Sequence, residues 1–367
     1  MIQLLYSDPP ETADEKKKRE ESKGAEPKND YDITNYVTHV SWSGDSDQAA
    51  RKLEFSIAYT TPNKDKVFQS LDLRVGGTVK FMQTDVDTSP MNQLFVGRIF
   101  YRKRASDSYT FEFACYDSMV YLAKSNIRDV MQGTVKSCIE KVCAYIGLPV
   151  WSIPELNTSV DFIADDKSGT EVIKDLLEYE RAATITESNP SGNEYTAVSM
   201  KGYISVIKKG TMIDYVADAD MNVFGAEHSE SVEEMVNQIR TVDEAGNPGI
   251  IYQNRDDIDH FGAIQKIYKL QPPKKDETVD NAKAAKALLT RQKDESSLSG
   301  VGESQCITGY AITVQEEQLR GKFFIKSDSH SFENNVHTMQ LTLEYMPDTQ
   351  EKANITESNE PYYGGGS

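Results

Sequence analysis

The sequence predicts a mainly β, α+β fold in which two antiparallel β domains flank an α+β module, the second β domain carrying a partly helical insertion. Three observations carry this reading. Between Tyr31 and Asp117, short runs rich in branched and aromatic residues alternate with turn-forming clusters. From Thr134 the apolar residues adopt helical spacing, and after Thr211 they return to alternation. Within this second β region lies an alanine-rich segment with one apolar face.

The start, MIQLLYSD, has neither the basic region nor the apolar stretch of a secretory signal, and it reads as a first strand. Residues 8–30 hold thirteen charges between Glu11 and Asp30 and no large apolar residue. Such a segment buries too little to offset its ordering entropy, so a charged mobile loop is expected there. The runs YDITNYVTHVSWSG, RKLEFSIAYTTP, LRVGGTVKFMQT, NQLFVGRIFYRKR and SYTFEFACYD then read as strands, with turns at Ser43-Gly44-Asp45 and Ser106-Asp107-Ser108. At this spacing they suggest a small barrel or sandwich over residues 1–116.

The α+β module spans residues 117–210. Val135, Cys138, Ile139, Val142, Cys143 and Ile146 form a helical stripe between an N-cap at Thr134 and a stop at Gly147. Ser168 and Glu171 have capping-box spacing ahead of a second stripe, Val172, Ile173, Leu176 and Leu177. EYTAVSMKGYISVIKKG follows as a hairpin turning at Lys201-Gly202. The second β domain is assigned to residues 211–254 and 300–346, with a strand, a turn at Glu244 to Pro248 and a return strand in its first part. Residues 255–299 form the insertion, where Ala282, Ala285, Leu288 and Leu289 share a helix face, and residues 347–367 form a C-terminal tail. Ile99 to Lys103 and Phe323 to Ser327 are candidate edge strands.

With 367 residues, the chain can build two to four domains. It has no run of about 18 apolar residues to span a membrane. Its formal charge of −18, from 58 acidic and 40 basic residues, argues against gripping nucleic acid by neutralising phosphates. Cys115, Cys138, Cys143 and Cys306 form no CxxC pair, which fits a reduced compartment. Cys138 and Cys143 belong to the helical stripe, and Cys115 shares a strand face with Phe111 and Phe113, so all three read as core. All four read as buried thiols, with Cys306 at a strand start, a position that also admits partial exposure.

No Gly-rich phosphate loop, GxSxG elbow or HExxH motif occurs, and the Gly-Val-Gly at 300–302 lacks the setting of a nucleotide site. Acid pairs such as Asp256 and Asp257 carry little information in so acidic a chain. His39 lies in a strand near Trp42 and reads as packed. The stretch GKFFIKSDSHSFENNVHTMQLTLEY raises the one metal hypothesis, from His330 and His337 with Asp328 and Glu333 between them. It reads as a hairpin whose odd positions face the core around the loop Glu333-Asn334-Asn335, with Asn335 left-handed. That register places His337 inward beside Met339 and His330 on the opposite face, so one metal does not bind both; a bulge would change this. No metal, cofactor or catalytic residue is expected.

Six segments taken in order carry a resemblance. DITNYVTHVSWSGDSDQAARKLEFSIAY, LFVGRIFYRKR, FACYDSMVYLAKSNIRDVMQGTVKSCIEKVCAYIGL, EEMVNQIRTVDEAGN, HFGAIQKIYK and GKFFIKSDSHSFENNVHTMQLTLEY together resemble the XkdQ/YqbQ family of contractile-tail baseplate hub proteins. That family lies in the wider group of phage late control protein D and the N-terminal part of VgrG. The resemblance covers residues 31 to 346; the charged segment 8–30 departs from the compact turn expected there. It implies that the two β domains are tube-like barrels. Three chains then form a six-barrel, pseudo-sixfold ring joining a sixfold tail tube to a threefold central spike. The implied partners are the chain itself as a homotrimer, the tail tube protein, the central spike protein, LysM-type and other baseplate proteins, and the tape-measure protein, with no specific nucleic-acid binding and no membrane insertion. Such a structural, non-enzymatic hub is made in the bacterial cytoplasm, assembled into a phage tail or an R-type bacteriocin-like particle, and released by lysis. Two rival readings are a tail-associated cell-wall hydrolase, using Cys306 with a histidine or the 330/337 pair, and a cell-surface binding module.

Overall fold

The computed structural model describes residues 1–58, 71–84, 91–104, 109–186, 189, 192–271, 280–346 and 355–363. The turn expected at Ser106-Asp107-Ser108 lies outside the described residues. The chain divides into two compact units, Met1–Ala226 with Ser297–Met346, and Glu227–Ser296 with Pro347–Ser367.

The first unit opens with β1 (Ile2–Ser7), α1 (Ala13–Ser22), β2 (Tyr31–Asp32), β3 (Val37–Asp45), β4 (Lys52–Ala58), β5 (Thr78–Gln83), β6 (Asn92–Arg104) and β7 (Thr110–Tyr116). Alternation decides which face is buried: Leu53, Phe55 and Ile57 of β4 lie opposite Cys115, Phe113 and Phe111 of β7. These residues form one core with Leu4, Tyr6, Val40, Trp42, Val79, Phe81, Phe95 and Ile99.

The segment at 8–30 holds a helix, contrary to the expected loop. Thr12 and Glu15 form a reciprocal capping box, Lys23 closes the helix in the left-handed conformation, and Arg19 bonds Glu11 and Glu26. Its base is tied down, since the Asp8 carboxylate accepts from the Lys28 amide and pairs with Arg74. No residue of α1 is buried. Local caps and ion pairs, which an argument from burial does not weigh, order it. Replacing residues 11–26 by a short Gly/Ser link, with Asp8 and Lys28 kept, is therefore expected to shift the melting temperature by no more than a few degrees. A drop of about 10 °C in a thermal melt would show that α1 supports the core.

The module contains α2 (Met119–Lys124), β8 (Asn126–Thr134), α3 (Val135–Ile146), β9 (Val150–Ser152), β10 (Ser159–Ser168), α4 (Gly169–Ala183), β11 (Tyr195–Met200) and β12 (Tyr203–Lys208). Both expected helices form with their expected caps: Thr134 accepts from the Ser137 amide, Gly147 is left-handed, and Ser168 and Glu171 make a full capping box. Cys138 and Cys143 lie in the module core with Val142, Val172, Ile173 and Leu176. β8 pairs with β10, and β11, β12 and β9 form a three-stranded sheet.

The chain continues through β13 (Thr211–Asp218), β14 (Val223–Ser231), β15 (Gln238–Val242), β16 (Pro248–Asn254), α5 (Arg255–Phe261), β17 (Gln265–Lys269), α6 (Asn281–Lys286), β18 (Lys293–Val301), β19 (Tyr310–Gln315), β20 (Arg320–Glu333), β21 (Val336–Tyr345) and β22 (Ile355–Ser358). A thirteen-stranded sheet runs β14-β18-β21-β20-β3-β4-β7-β6-β5-β1-β2, with β19 also on β20 and β13 on β19. Of the candidate edges, Phe323 to Ser327 falls on β20, which is paired on both sides, whereas Ile99 to Lys103 is the end of β6 that pairs with β7 alone among the described strands, since the β5 ladder stops at Arg98. Burial alternation marks core faces and does not say which strand is outermost.

The hairpin register also differs from expectation. Glu333 pairs with Val336 across a two-residue turn in which Asn334 and Asn335 both have positive φ, 52° and 64°. Two adjacent asparagines suit a tight turn whose twist matches the strands. Even positions 328, 330 and 332 of β20 therefore lie opposite odd positions 341, 339 and 337 of β21. A register shift between Ile325 and Ser327 returns the odd residues Phe323 and Ile325 to the core.

In the second unit, β17, β15, β16 and β22 form a four-stranded sheet in that order. The expected strand, turn and return strand are present, with Val242 opposite Pro248. However, β15 and β16 leave the second β domain: Ile239 and Tyr252 pack with Val236 and Ala285 in a separate small core. This unit therefore starts near residue 227, ahead of the expected 255–299 insertion. Part of the expected tail is a strand, because β22 hydrogen-bonds along β16 from Ile251 to Asn254. α6 is short, and Leu288 is 43% exposed, so the expected four-residue stripe is only partly buried. No helix among the described residues is long and apolar enough to cross a membrane.

Candidate functional site

Where β20 meets β3, Asp328 lies opposite Gly44, His330 opposite Trp42 and Phe332 opposite Val40. Because even positions of β20 point inward, this junction carries a carboxylate and an imidazole into the core, where each needs a partner. Asp328 and His330 are 3% and 0% exposed. Arg51, at the entrance to β4, supplies the partner for Asp328 with a two-pronged guanidinium contact, Nη1 to Oδ1 at 2.8 Å and Nη2 to Oδ2. The Thr308 amide and hydroxyl each donate to Asp328 Oδ1 at 2.7 Å. Burial alone would raise the Asp328 carboxyl; Arg51, with help from Thr308, outweighs it and holds the group below the usual carboxylate range. The guanidinium also lies 4.2 Å from the Trp42 ring centroid. A Cβ on Gly44 would fall 2.2 Å from Arg51 Nη1, so this strand position admits only glycine while the ion pair is in place.

The two histidines share the core face, which corrects the expectation that they point apart. His330 Nδ1 and His337 Nε2 are 3.0 Å apart, and His330 Nε2 is 3.1 Å from the Cys306 carbonyl oxygen. A carbonyl only accepts, so His330 Nε2 carries the proton and Nδ1 accepts from His337 Nε2–H. His337 Nδ1 is then an acceptor for the Gln83 side-chain amide at 3.3 Å. The chain of donors runs from Gln83 through His337 and His330 to Cys306, and it requires both rings to be neutral. Burial pushes His330 down to about 4, and burial with the neighbouring His330 pushes His337 down to about 3. Phe332 stacks on His337 at 4.0 Å between ring centroids, and Trp42 lies 5.2 Å from His330.

The sequence singled out His330, His337, Asp328 and Cys306, and the structure brings them together. Glu333 stands exposed at the turn, His39 is half-buried elsewhere on β3, and Cys115 belongs to the first core. Cys306 is fully buried, like the other three cysteines, and burial pushes its thiol far above neutrality, so it is no ready nucleophile. Among the described residues no group of three His, Cys, Asp or Glu side chains is placed to hold a metal. Arg51 was not singled out. The available signal was Asp328 itself, since a carboxylate on a buried strand face demands a cation. With the nitrogens of both imidazoles committed to internal bonds, the cluster is built to lock two strands in register.

The family model that matches this chain, described as YQBQ-like, spans residues 40–344. The chain belongs to the YQBQ-like family. The match includes all the joint residues, from Trp42, Gly44 and Arg51 to His337, and excludes α1. The chain is 21% identical over 312 residues to the phage-like element PBSX protein XkdQ of Bacillus subtilis, covering 82% of this chain and 90% of that one. Its fold is similar to that of the prophage MuSo2 43 kDa tail protein from Shewanella oneidensis, with a TM-score of 0.61, 12% identity, and 94% and 96% of the two chains covered. It is also similar to a chain of the Francisella PdpA-VgrG complex, with a TM-score of 0.52 and 11% identity, covering all of this chain and 60% of that one.

Proposed function

We propose that the chain is a structural, non-enzymatic baseplate hub of a contractile tail or tail-like particle, in which three copies form a pseudo-sixfold ring between a sixfold tail tube and a threefold central spike. The observation that carries this is the continuous sheet in which β1–β7 and the later strands β13, β14 and β18–β21 are joined edge to edge at β3 and β20. Two non-identical β portions, near residues 1–116 and 211–226 with 297–346, are thereby held as one body. Each acts as a tube-like barrel, and three copies then offer six such portions from one sequence. The fold likeness to a tail protein and to a chain of a VgrG complex supports this reading. So does the charge of −18, which suits a lumen that repels polyanions. Tube, spike and LysM-type baseplate proteins and the tape-measure protein are the proposed partners, and synthesis in the bacterial cytoplasm with release by lysis is the proposed route.

Light scattering on the purified chain, alone and with its tube and spike proteins, is expected to give a mass three times that of the monomer, and electron microscopy a closed ring. A chain that stays monomeric at high concentration with both partners present would overturn the proposal.

A further inference from the structure

In a ring of three copies, each chain meets one neighbour through its first β portion and the other through its second. The two contact surfaces therefore differ, and each must match the other. Both lie away from the joint between β3 and β20. Along the sheet, β6 is the third strand beyond β3, and β13 is the second beyond β20. β13 ends its branch, pairing with β19 alone among the described residues.

The C-terminal part of β6 is locally basic in an acidic chain. Arg98, Arg102, Lys103 and Arg104 stand against two carboxylates, Asp72 on Arg102 and Glu112 on Lys103. Arg98 is exposed and has no charged partner among the described residues. A register shift between Ile99 and Tyr101 lets two consecutive rings face solvent, with Phe100 37% and Tyr101 51% exposed. Aromatic rings beside arginine are the composition of interface centres. β13 has the opposite character. Met212, Asp214 and Val216 alternate outward along it, and Met212 and Val216 are 40% and 42% exposed. Asp214, Asp218 and Asp220 form no ion pair among the described residues. The cations nearest in the sheet, Arg320 and Lys322, stand on β20 with β19 between.

We propose that β6 of one copy seats on β13 of the next, with Phe100 and Tyr101 packed on Met212 and Val216, and Arg98 and Lys103 facing Asp214 and Asp218. Three such head-to-tail contacts close the ring. A second copy is the occupant because this one chain carries both halves of the contact, a basic aromatic surface and an acidic aliphatic one. The inference rests on the hub reading and names the surfaces that reading requires.

The test is charge exchange, under conditions in which the wild-type chain forms trimers. Arg98→Glu and Asp214→Lys, both at exposed positions, are each expected to weaken trimer formation at least tenfold in sedimentation over a dilution series, with the melting temperature of the monomer unchanged. The chain carrying both changes should regain the trimer, because every contact then holds the same pair with its signs exchanged. Tyr101→Cys together with Val216→Cys should link chains on mild oxidation, the four native cysteines being buried. This cross-link decides the matter if a charge variant fails to fold. Trimers that form equally well with either single change, a double change that regains nothing, or cysteines that link no chains would overturn this interface and leave the hub reading standing. A wild-type chain that never trimerises, even with its tube and spike proteins, would overturn both.

Discussion

Arg51→Ala is expected to lower stability by about 3–5 kcal/mol, because it leaves the Asp328 carboxylate buried without its cation. In a body of this size that corresponds to a fall in melting temperature of about 5 to 9 °C. Asp328→Ala should cost a similar amount by stranding the guanidinium. The informative comparison is the double variant Arg51→Met with Asp328→Leu, which removes both charges and keeps the volume. It should recover much of the loss, since the desolvation cost of a buried pair offsets most of its mutual attraction. Urea unfolding followed by tryptophan fluorescence suits the measurement, because Trp42 packs on Arg51 and the only other tryptophan, Trp151, is 62% exposed. A single-variant loss below about 1 kcal/mol would place the pair among surface-like ion pairs and remove the joint from the energetic account.

Acid is expected to weaken the same joint through the histidines. His330 is held near 4, while an unfolded histidine titrates at about 6.5, so on acidification the unfolded chain takes up the proton first. The stabilising contribution is complete above about pH 6.5 and is lost as the pH falls toward 4. For His330 alone this amounts to about 2 kcal/mol between pH 7.5 and pH 5. His337 acts in the same direction. Asp117 opposes them: burial pushes its carboxyl up to about 7, so it favours the folded state as the pH drops below that value. Net acid stability of the wild type is therefore a poor readout. The difference between wild type and the double variant His330→Leu with His337→Leu isolates the pair. The variant should be less stable at pH 7.5, because Gln83 and the Cys306 carbonyl lose partners, and its stability should fall by about 2 to 4 kcal/mol less than the wild type on going to pH 5, since both rings are removed and His337 is only partly buried. Parallel pH profiles would show that the rings are not held neutral by the fold. Nitrogen NMR should show both rings protonated on Nε2 at neutral pH.

Much of the fold was legible because its signals are local. The five strand runs after Tyr31 place one face inward by strict alternation, and the caps at Thr134, Gly147, Ser168 and Glu171 lie within a few residues of the helices they bound. The burial of Cys115, Cys138 and Cys143 follows from the same periodicities. The order of β segments was enough to reach the family.

The joint was legible only as a set of suspects. Periodicity shows which residues share a face along one strand, but pairing between distant strands is set by turn length and bulges. Here the Asn334-Asn335 turn and the shift at Lys326 reversed the inferred faces of His330 and Asp328. Arg51 and Asp328 are 277 positions apart, and no local pattern couples them. Strand order is non-local in the same way, which is why β15 and β16 were assigned to the wrong neighbours, β22 was read as part of a tail, and the inner segment Phe323 to Ser327 was taken for an edge. The sequence by itself determined most of the elements and which residues share a face within each, because side-chain periodicity is a property of single segments. Only the tertiary structure decided which segments pair, because that choice minimises unpaired backbone and buried charge over the whole sheet at once.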